Sequence, residues 1–179
     1  PERPGRGATL IPYEDILENS EFIEDLAVYD ATHDIQGPES LITLGVVYYI
    51  PPEYAKKVRA YLDVREQGGY SLHEVNVHLE TSPKQEEELS HLLQELPTYK
   101  DTGRRMLRTS VYIGTIQNES FIGPEDILET AKTISQSKGP SGSNHTYLKL
   151  LHSSLEEMPI THNSIPVHDL YLDKLLCQV

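Results

Sequence analysis

The sequence predicts an α+β fold in a single domain. All segments with β-strand character lie in the first two thirds of the chain, and only helical segments follow in the last third, an order typical of α+β proteins. The length of 179 residues fits one domain and is enough to bury a substantial core without disulfide or metal support. Since no internal repeat or low-complexity tract divides the chain, we expect one domain over residues 1–179.

Four segments have the composition of β-strands. They are rich in β-branched and aromatic residues, or they alternate between apolar and polar residues, as Val75, Val77 and Leu79 do. Pro51-Pro52 ends the second of these segments, because proline cannot donate to a β-ladder. The predicted strands are residues 6–11, 41–50, 70–79 and 108–113.

Six segments have helical character. Their apolar residues recur mainly three or four positions apart, the spacing of one helix face. Pro51-Pro52 and Pro124 suit the first turn of a helix, and Gly68-Gly69 suit the end of one. The predicted helices are residues 14–28, 51–65, 89–96, 124–137, 144–157 and 166–176.

The charge balance excludes several classes of partner. With 15 basic and 28 acidic residues, the net charge is −13, which opposes binding to nucleic-acid phosphates or anionic membrane surfaces. The longest apolar run, residues 41–50, is well short of the ~20 residues of a membrane span, and no secretory signal pattern opens the chain. The single cysteine excludes an intramolecular disulfide. We expect a cytoplasmic protein, with the nucleus as the alternative location.

Familiar catalytic and metal-binding motifs fail on spacing. The stretch at residues 139–143 resembles the G-x-S-x-G nucleophile motif but has Ser143 in its fifth position. No phosphate-binding loop is present. His73-Glu74 is followed by His78 rather than by a histidine four residues after His73, so the zinc-protease motif is absent. The eight histidines are scattered, and we expect neither a metal site nor a cofactor.

Glu66 is the candidate catalytic residue. Ala55, Val58, Leu62 and Glu66 share one side of the predicted helix, so Glu66 continues the apolar stripe that we expect to face the core, at the C-terminal end of the helix. Lost hydration and the negative end of the helix dipole both disfavour a charged carboxylate there. Gly68-Gly69 let the backbone approach a ligand closely. The alternative is a helix that frays before Glu66 and leaves the carboxylate in a solvated turn.

The stretch Arg65-Glu66-Gln67-Gly68-Gly69-Tyr70, after Tyr61-Leu62-Asp63, resembles the signature of the glutathione-specific gamma-glutamylcyclotransferases, the ChaC-like family. The resemblance extends over nearly the whole chain, with further motifs in the order of the family. These motifs are Pro4-Gly5-Arg6 with Thr9-Leu10, Gly45-Val46-Val47-Tyr48, Tyr112-Ile113-Gly114-Thr115, Gly123-Pro124, and Gly139-Pro140-Ser141-Gly142 with Asn144 and Tyr147-Leu148.

The resemblance implies a mixed, barrel-like sheet with surrounding helices. It implies a lyase that cleaves glutathione to 5-oxoproline and L-cysteinylglycine without a cofactor, with Glu66 as general acid and base. The family opens with a strand and a Tyr-Gly-Ser-Leu loop that holds the gamma-glutamyl group, and this sequence does not contain them. We therefore expect an N-terminally truncated domain that lacks the first strand and is inactive or nearly so.

Tyr112 and Arg6 are candidate substrate-binding residues. Tyr112 alternates with Arg108 and Ser110 on one strand face, where its hydroxyl either donates to the glutamyl carboxylate or only fills the barrel. Arg6 either binds a substrate carboxylate or pairs with surface acids. Two other functions stay open: a non-catalytic acidic interaction domain on the same fold, and a cyclotransferase that acts on other gamma-glutamyl amines.

Overall fold

The computed structural model describes residues 4–29, 43–100, 103–158, 161–162, 165–166 and 169–179. These residues form a mixed α+β structure. The chain divides into a flanking unit, residues 1–46 and 114–179, and a central unit, residues 47–113, and each is described by itself. The expectation of one domain stays a prediction. None of the helices in the described ranges combines the length and apolar character needed to cross a membrane.

Eight helices and six strands are assigned in the described residues. In chain order they are α1 (Tyr13–Leu17), α2 (Ser20–Tyr29), α3 (Pro52–Arg65), β1 (Ser71–His78), α4 (Pro83–Glu88), α5 (Ser90–Leu93), β2 (Met106–Ile113), α6 (Ile127–Gln136), β3 (Lys138–Gly139), β4 (Gly142–Ser143), α7 (Asn144–Glu156), β5 (Thr161–His162), β6 (Ile165–Pro166) and α8 (Leu170–Leu176).

The central unit contains an antiparallel pair of strands, β1 and β2. Ser71 lies opposite Ile113 at one end of the pair, and His78 lies opposite Met106 at the other. On β1 the side chain of Val75 is half-buried and its neighbours along the strand are exposed, as the alternating sequence predicts. Both strands and α3 are therefore confirmed to within about two residues of their predicted bounds.

The predicted helix at residues 89–96 is wrong in its bounds, because two short helices, α4 and α5, stand in its place. The hydroxyl of Ser82 accepts a hydrogen bond from the Gln85 amide, and the Gln85 side chain accepts one from the Ser82 amide. This reciprocal cap starts a helix upstream of the leucine pattern. That helix ends at Glu88 with Leu89 as its C-cap, and Leu93 is the only residue of these two helices with a buried side chain.

The core of the flanking unit lies between α6, α7 and α8. These helices contribute five buried apolar side chains, which pack as one cluster, and burial of this kind is the main stabilising term in folding. The cluster consists of Ala131, Ile134, Leu148, Leu172 and Leu175.

Side-chain caps set the helix starts in this unit. Helix α6 begins at Ile127 rather than at the predicted residue 124. Asp126 is its N-cap, because its carboxylate accepts a hydrogen bond from the backbone N–H of Leu128. Helix α8 begins at Leu170 rather than at the predicted residue 166, because the carboxylate of its N-cap, Asp169, accepts a hydrogen bond from the backbone N–H of Leu172. Residues 167–168 of that prediction lie outside the described ranges.

The predicted helix at residues 14–28 is interrupted at Asn19. The Asn19 side chain accepts a hydrogen bond from the Glu21 amide at 2.9 Å, so it caps α2 instead of continuing α1. Asparagine favours this role because its short side chain competes with the helical backbone for hydrogen bonds. The apolar spacing is therefore divided between two helices.

The predicted strands at residues 6–11 and 41–50 are wrong where the structure describes them, and residues 41–42 lie outside those ranges. Residues 43–50 pair with no described strand, and the side chains of Val46, Tyr48 and Tyr49 are exposed. High β-propensity forms a strand only when a partner completes the ladder. The assigned sheets each have two strands, so the described part of the chain contains no closed barrel, and the barrel-like arrangement is not confirmed.

Side chains, rather than a β-ladder, hold residues 5–9 in the flanking unit. Oδ1 of Asn144 accepts a hydrogen bond from the backbone N–H of Arg6 at 2.6 Å, and Nδ2 of Asn144 donates one to the backbone carbonyl of Arg6 at 2.8 Å. The Tyr147 hydroxyl accepts a hydrogen bond from the backbone N–H of Ala8 at 3.1 Å. This segment and the start of α7, which are 138 residues apart in sequence, thus form one structural feature.

Arg6 also forms a bidentate ion pair with Glu125. Its Nε and one Nη lie 2.9 and 2.8 Å from the two carboxylate oxygens, and the Thr130 hydroxyl donates to the same carboxylate. The hydrogen bond from Arg6 lowers the pKa of Glu125 below its ordinary value of 4.5. Both side chains are about one quarter exposed, so water screens the pair only partly.

We predict that Gly5→Ala destabilises the chain. A Cβ at Gly5 would lie 2.5 Å from Oδ1 of Asn144, so the Asn144 side chain must move and release Arg6. Losing two backbone hydrogen bonds should lower the free energy of unfolding by about 1–3 kcal/mol. Gly7→Ala is the control, because a Cβ there meets nothing within 4 Å. Urea unfolding of both variants measures the difference, and equal stabilities would contradict this account of Asn144.

We also predict a pH-dependent contribution from Glu125. Because its folded pKa is depressed, the ion pair stabilises the fold above pH 4.5, and this stabilisation is lost as the pH falls through the folded pKa. Glu125→Gln should therefore cost about 1 kcal/mol at pH 7 and progressively less below pH 4.5. Denaturant unfolding at several pH values measures this, with Glu129→Gln on the exposed face of α6 as control. A cost independent of pH would overturn the assignment.

Candidate active site

Glu66 is the C-cap of α3. The helix ends at Arg65 and Glu66 opens a turn, but the backbone N–H of Glu66 donates to the carbonyl of Leu62 at 2.8 Å, so the last helical turn closes on Glu66. Its side chain is 23% exposed, against 66% for that of Arg65. Val58 and Leu62 are partly exposed like Glu66, but Ala55 is exposed and no residue of α3 is buried, so the predicted core-facing stripe is present only in part.

The connection after Glu66 depends on glycine. Gly69 has φ of +87°, in the left-handed region that residues with a Cβ rarely adopt. Gly69 lies three residues after the C-cap, and its conformation completes the turn that lets β1 begin at Ser71. The carboxylate of Glu66 is thus placed by a closed helical turn on one side and a tight glycine turn on the other.

Tyr112 lies beside the last turns of α3. Its hydroxyl donates a hydrogen bond to the carboxylate of Asp63, three residues before Glu66. Arg59, one turn earlier, donates from Nε to the same carboxylate oxygen at 2.8 Å. The pairing of Leu72 with Tyr112 in the β1–β2 register places the tyrosine near this end of the helix.

The Arg59–Asp63–Tyr112 cluster perturbs its own ionisable groups. The hydrogen bond from Tyr112, together with the one from Arg59, lowers the pKa of Asp63. The same bond to Asp63 raises the pKa of the Tyr112 phenol, which keeps its proton available for donation. The sequence pattern alone does not mark Asp63 as a site residue. The available signal was its four-residue spacing from Arg59, which suits an ion pair on one helix face.

The remaining predicted site residues have these positions. Arg6 belongs to the flanking unit, where its guanidinium forms an ion pair with Glu125. This agrees with the alternative in which Arg6 pairs with an acidic side chain of the protein. Binding of substrate by Arg6 stays a prediction, as does binding by Tyr112. On β2, Arg108 is exposed and pairs with Glu74, so the polar face of this strand is turned to solvent in the described residues.

A polar cavity of about 390 Å³ lies elsewhere in the central unit, between the end of β1 and the start of β2. Its two arginines already have acidic partners: Arg104 contacts Glu80 at 2.9 Å, and Arg105 contacts Glu86 at 2.6 Å. Neither Glu66 nor Tyr112 lines it. Its charges are internally compensated, which disfavours binding of an anionic ligand.

Known proteins resemble this chain in sequence and in architecture. The family model for ChaC-like proteins matches residues 1–179. The chain is 54% identical over 176 residues to the glutathione-specific gamma-glutamylcyclotransferase of Saccharomyces cerevisiae, an alignment that covers 98% of this chain and 76% of that protein. It is 31% identical over 167 residues to the protein of the same name from Schizosaccharomyces pombe, covering 93% of this chain and 68% of that one.

Solved structures agree with these matches. A crystal structure of a gamma-glutamylcyclotransferase specific to glutathione from yeast superposes with a TM-score of 0.91 at 54% identity, covering 98% of this chain and 75% of that one. A second crystal structure of the yeast enzyme superposes with a TM-score of 0.81. The sequence signature around Glu66, the mixed α+β architecture and these matches lead to one conclusion: the chain belongs to the ChaC-like family.

Proposed function

We propose that this chain is the catalytic domain of a glutathione-specific gamma-glutamylcyclotransferase, which acts in glutathione degradation. The observation that carries the proposal is its 54% identity to the Saccharomyces cerevisiae enzyme over 98% of the chain. The position of Glu66 supports it, since the family's acidic residue stands at a closed helix end with little exposure. The products are 5-oxoproline and L-cysteinylglycine.

The reaction needs little from the protein beyond placement and proton transfer. The substrate's own α-amine attacks its gamma-carbonyl and closes a five-membered lactam, so the nucleophile is already tethered. An ammonium with a pKa of about 8 must first lose a proton, and the leaving amine must gain one. A single carboxyl can perform both transfers in turn, and we assign that role to Glu66. Neither a metal nor a cofactor enters this scheme.

The cluster next to Glu66 has a positioning role in the proposal. Asp63 links Arg59 of α3 to Tyr112 of β2, and Glu66 follows on the same helix within one turn. This arrangement favours a fixed orientation for the helix end, which proton transfer requires. Tyr112 remains the candidate donor to the glutamyl carboxylate, in which case substrate must share or replace its bond to Asp63. Arg6 remains a second candidate.

Three further features of the proposal await tests. We propose a barrel-like sheet that is completed by a strand upstream of the present sequence, which carries the Tyr-Gly-Ser-Leu loop. We also propose a cytoplasmic location, with the nucleus as the alternative. Glutathione is the proposed small-molecule partner, and the acidic net charge of −13 disfavours nucleic acid and anionic membranes.

An assay of 5-oxoproline release tests the function directly. We predict turnover of glutathione by a form extended at its N-terminus with the family's strand and Tyr-Gly-Ser-Leu loop, and little or none by residues 1–179 alone. The loop should supply the contacts that hold the gamma-carbonyl for attack. Equal turnover by both forms would show that the loop is dispensable.

The same assay separates the alternatives. Cleavage of free gamma-glutamyl dipeptides as fast as glutathione would favour a broader gamma-glutamyl amine cyclotransferase. No turnover of any gamma-glutamyl compound by a folded, extended form would favour a non-catalytic acidic interaction domain.

We predict that Glu66→Gln abolishes turnover in the extended form while leaving it folded and able to bind glutathione. Glutamine keeps the size and hydrogen-bonding reach of glutamate but cannot transfer a proton. The loss of general acid and base catalysis should lower kcat by about 10²–10⁴. Steady-state kinetics, calorimetric glutathione binding and circular dichroism measure the three properties.

Glu53→Gln is the matched control, because Glu53 lies exposed in the first turn of the same helix. It should leave kcat and glutathione binding unchanged. If Glu66→Gln keeps more than about a tenth of kcat, Glu66 is not the acid and base. If it unfolds the protein, the carboxylate has a structural role.

A further inference from the structure

A second cluster of ionisable side chains lies in the flanking unit. His152 and Glu156 of α7 and Asp173 of α8 each bring one potential ligand atom to a common region, and these atoms all lie within 4.8 Å of one another. We propose that these three residues bind a divalent transition-metal ion such as zinc, and that the ion links α7 to α8. The inference does not depend on the proposed enzymatic function.

Helical spacing and packing place the three side chains on a rigid base. His152 and Glu156 are four residues apart, so they project from the same face of α7. The core cluster lies beneath them: Leu148 is one turn before His152, and Leu172 and Leu175 flank Asp173 on α8. Ligands on packed helices lose little conformational freedom when a metal binds.

The geometry needs only small side-chain movements to accept an ion. Nε2 of His152 already lies 2.7 Å from Oδ1 of Asp173, which fixes the imidazole against the opposite helix. Zinc bonds of 2.0–2.2 Å in a tetrahedral arrangement separate ligand atoms by about 3.4 Å. The His152–Asp173 pair must therefore widen by less than about 1 Å, and Glu156 must rotate inward by a comparable amount.

The donor set selects the class of metal. One imidazole nitrogen and two carboxylates suit zinc and its neighbours in the first transition row, whereas magnesium and calcium prefer oxygen ligands alone. Three protein ligands would leave a fourth tetrahedral position for water. Glu156 is exposed, so solvent can reach that position, and His152 and Asp173 are partly buried behind it.

Titration of the whole chain with zinc, followed by calorimetry, tests the site. We expect one ion per chain and an increase in thermal stability, because an ion that bridges two helices binds the folded state. At a free zinc concentration 100 times Kd, the ratio of folded to unfolded chain should rise about 100-fold. Magnesium at the same concentration should change neither measurement, and cobalt bound in place of zinc should show tetrahedral absorption bands.

Matched variants decide which residues bind the ion. His152→Ala and Glu156→Gln should each weaken zinc binding by about tenfold or more. Glu156→Gln is informative because it removes a ligand and leaves the His152–Asp173 hydrogen bond intact. His145→Ala, near the start of the same helix, and Cys177→Ser, which removes the exposed thiol, should not change Kd.

Three outcomes would overturn the proposal: no binding at millimolar zinc, unchanged binding by His152→Ala, or loss of binding by the two control variants. Circular dichroism of each metal-free variant shows whether it is folded. A variant that fails to fold would be replaced by Asp173→Asn, for which the same weakening is expected.

Discussion

The flanking unit depends on the hydrogen bonds between the Asn144 side chain and the backbone of Arg6. This side chain holds the Arg6 backbone by both its oxygen and its nitrogen, in the way that a neighbouring strand would, although residues 6–11 form no ladder. It is available for this because Ser143, one residue earlier, caps α7 by accepting the Thr146 amide. Gly5 leaves the space that the amide group fills. The Pro-Gly-Arg motif and the motif at residues 139–148 therefore contact each other through Arg6 and Asn144.

The central unit follows a different principle, since the candidate catalytic group there depends on local chain geometry. A closed helical turn and a left-handed glycine orient Glu66, and a hydrogen bond from β2 reaches Asp63 within the same helix end. A reaction with a tethered nucleophile is compatible with so simple an arrangement, because it needs one proton carrier rather than a relay of several side chains.

The sequence predicts those features that depend on neighbouring residues. Helix α3 and strands β1 and β2 follow from periodicity, and all three were found within about two residues of their predicted places. Features decided by distant residues were missed: no described strand pairs with residues 43–50, and Asn144 replaces a ladder at Arg6. Asp63 accepts a hydrogen bond from Tyr112, 49 residues away, which no local pattern encodes. Helix starts shifted because capping side chains outweigh apolar spacing.

The register between β1 and β2 has a consequence for evolutionary change in this chain. Tyr112 is placed by its pairing with Leu72, which follows Glu66 by only six residues. A change of length in an exposed turn within residues 79–105 therefore leaves the tyrosine beside the helix end, as long as the ladder and the ion pairs of Arg104 and Arg105 are kept. The exposed turns of this connection, rather than its buried Leu93 or its paired arginines, are where length variation among relatives should accumulate.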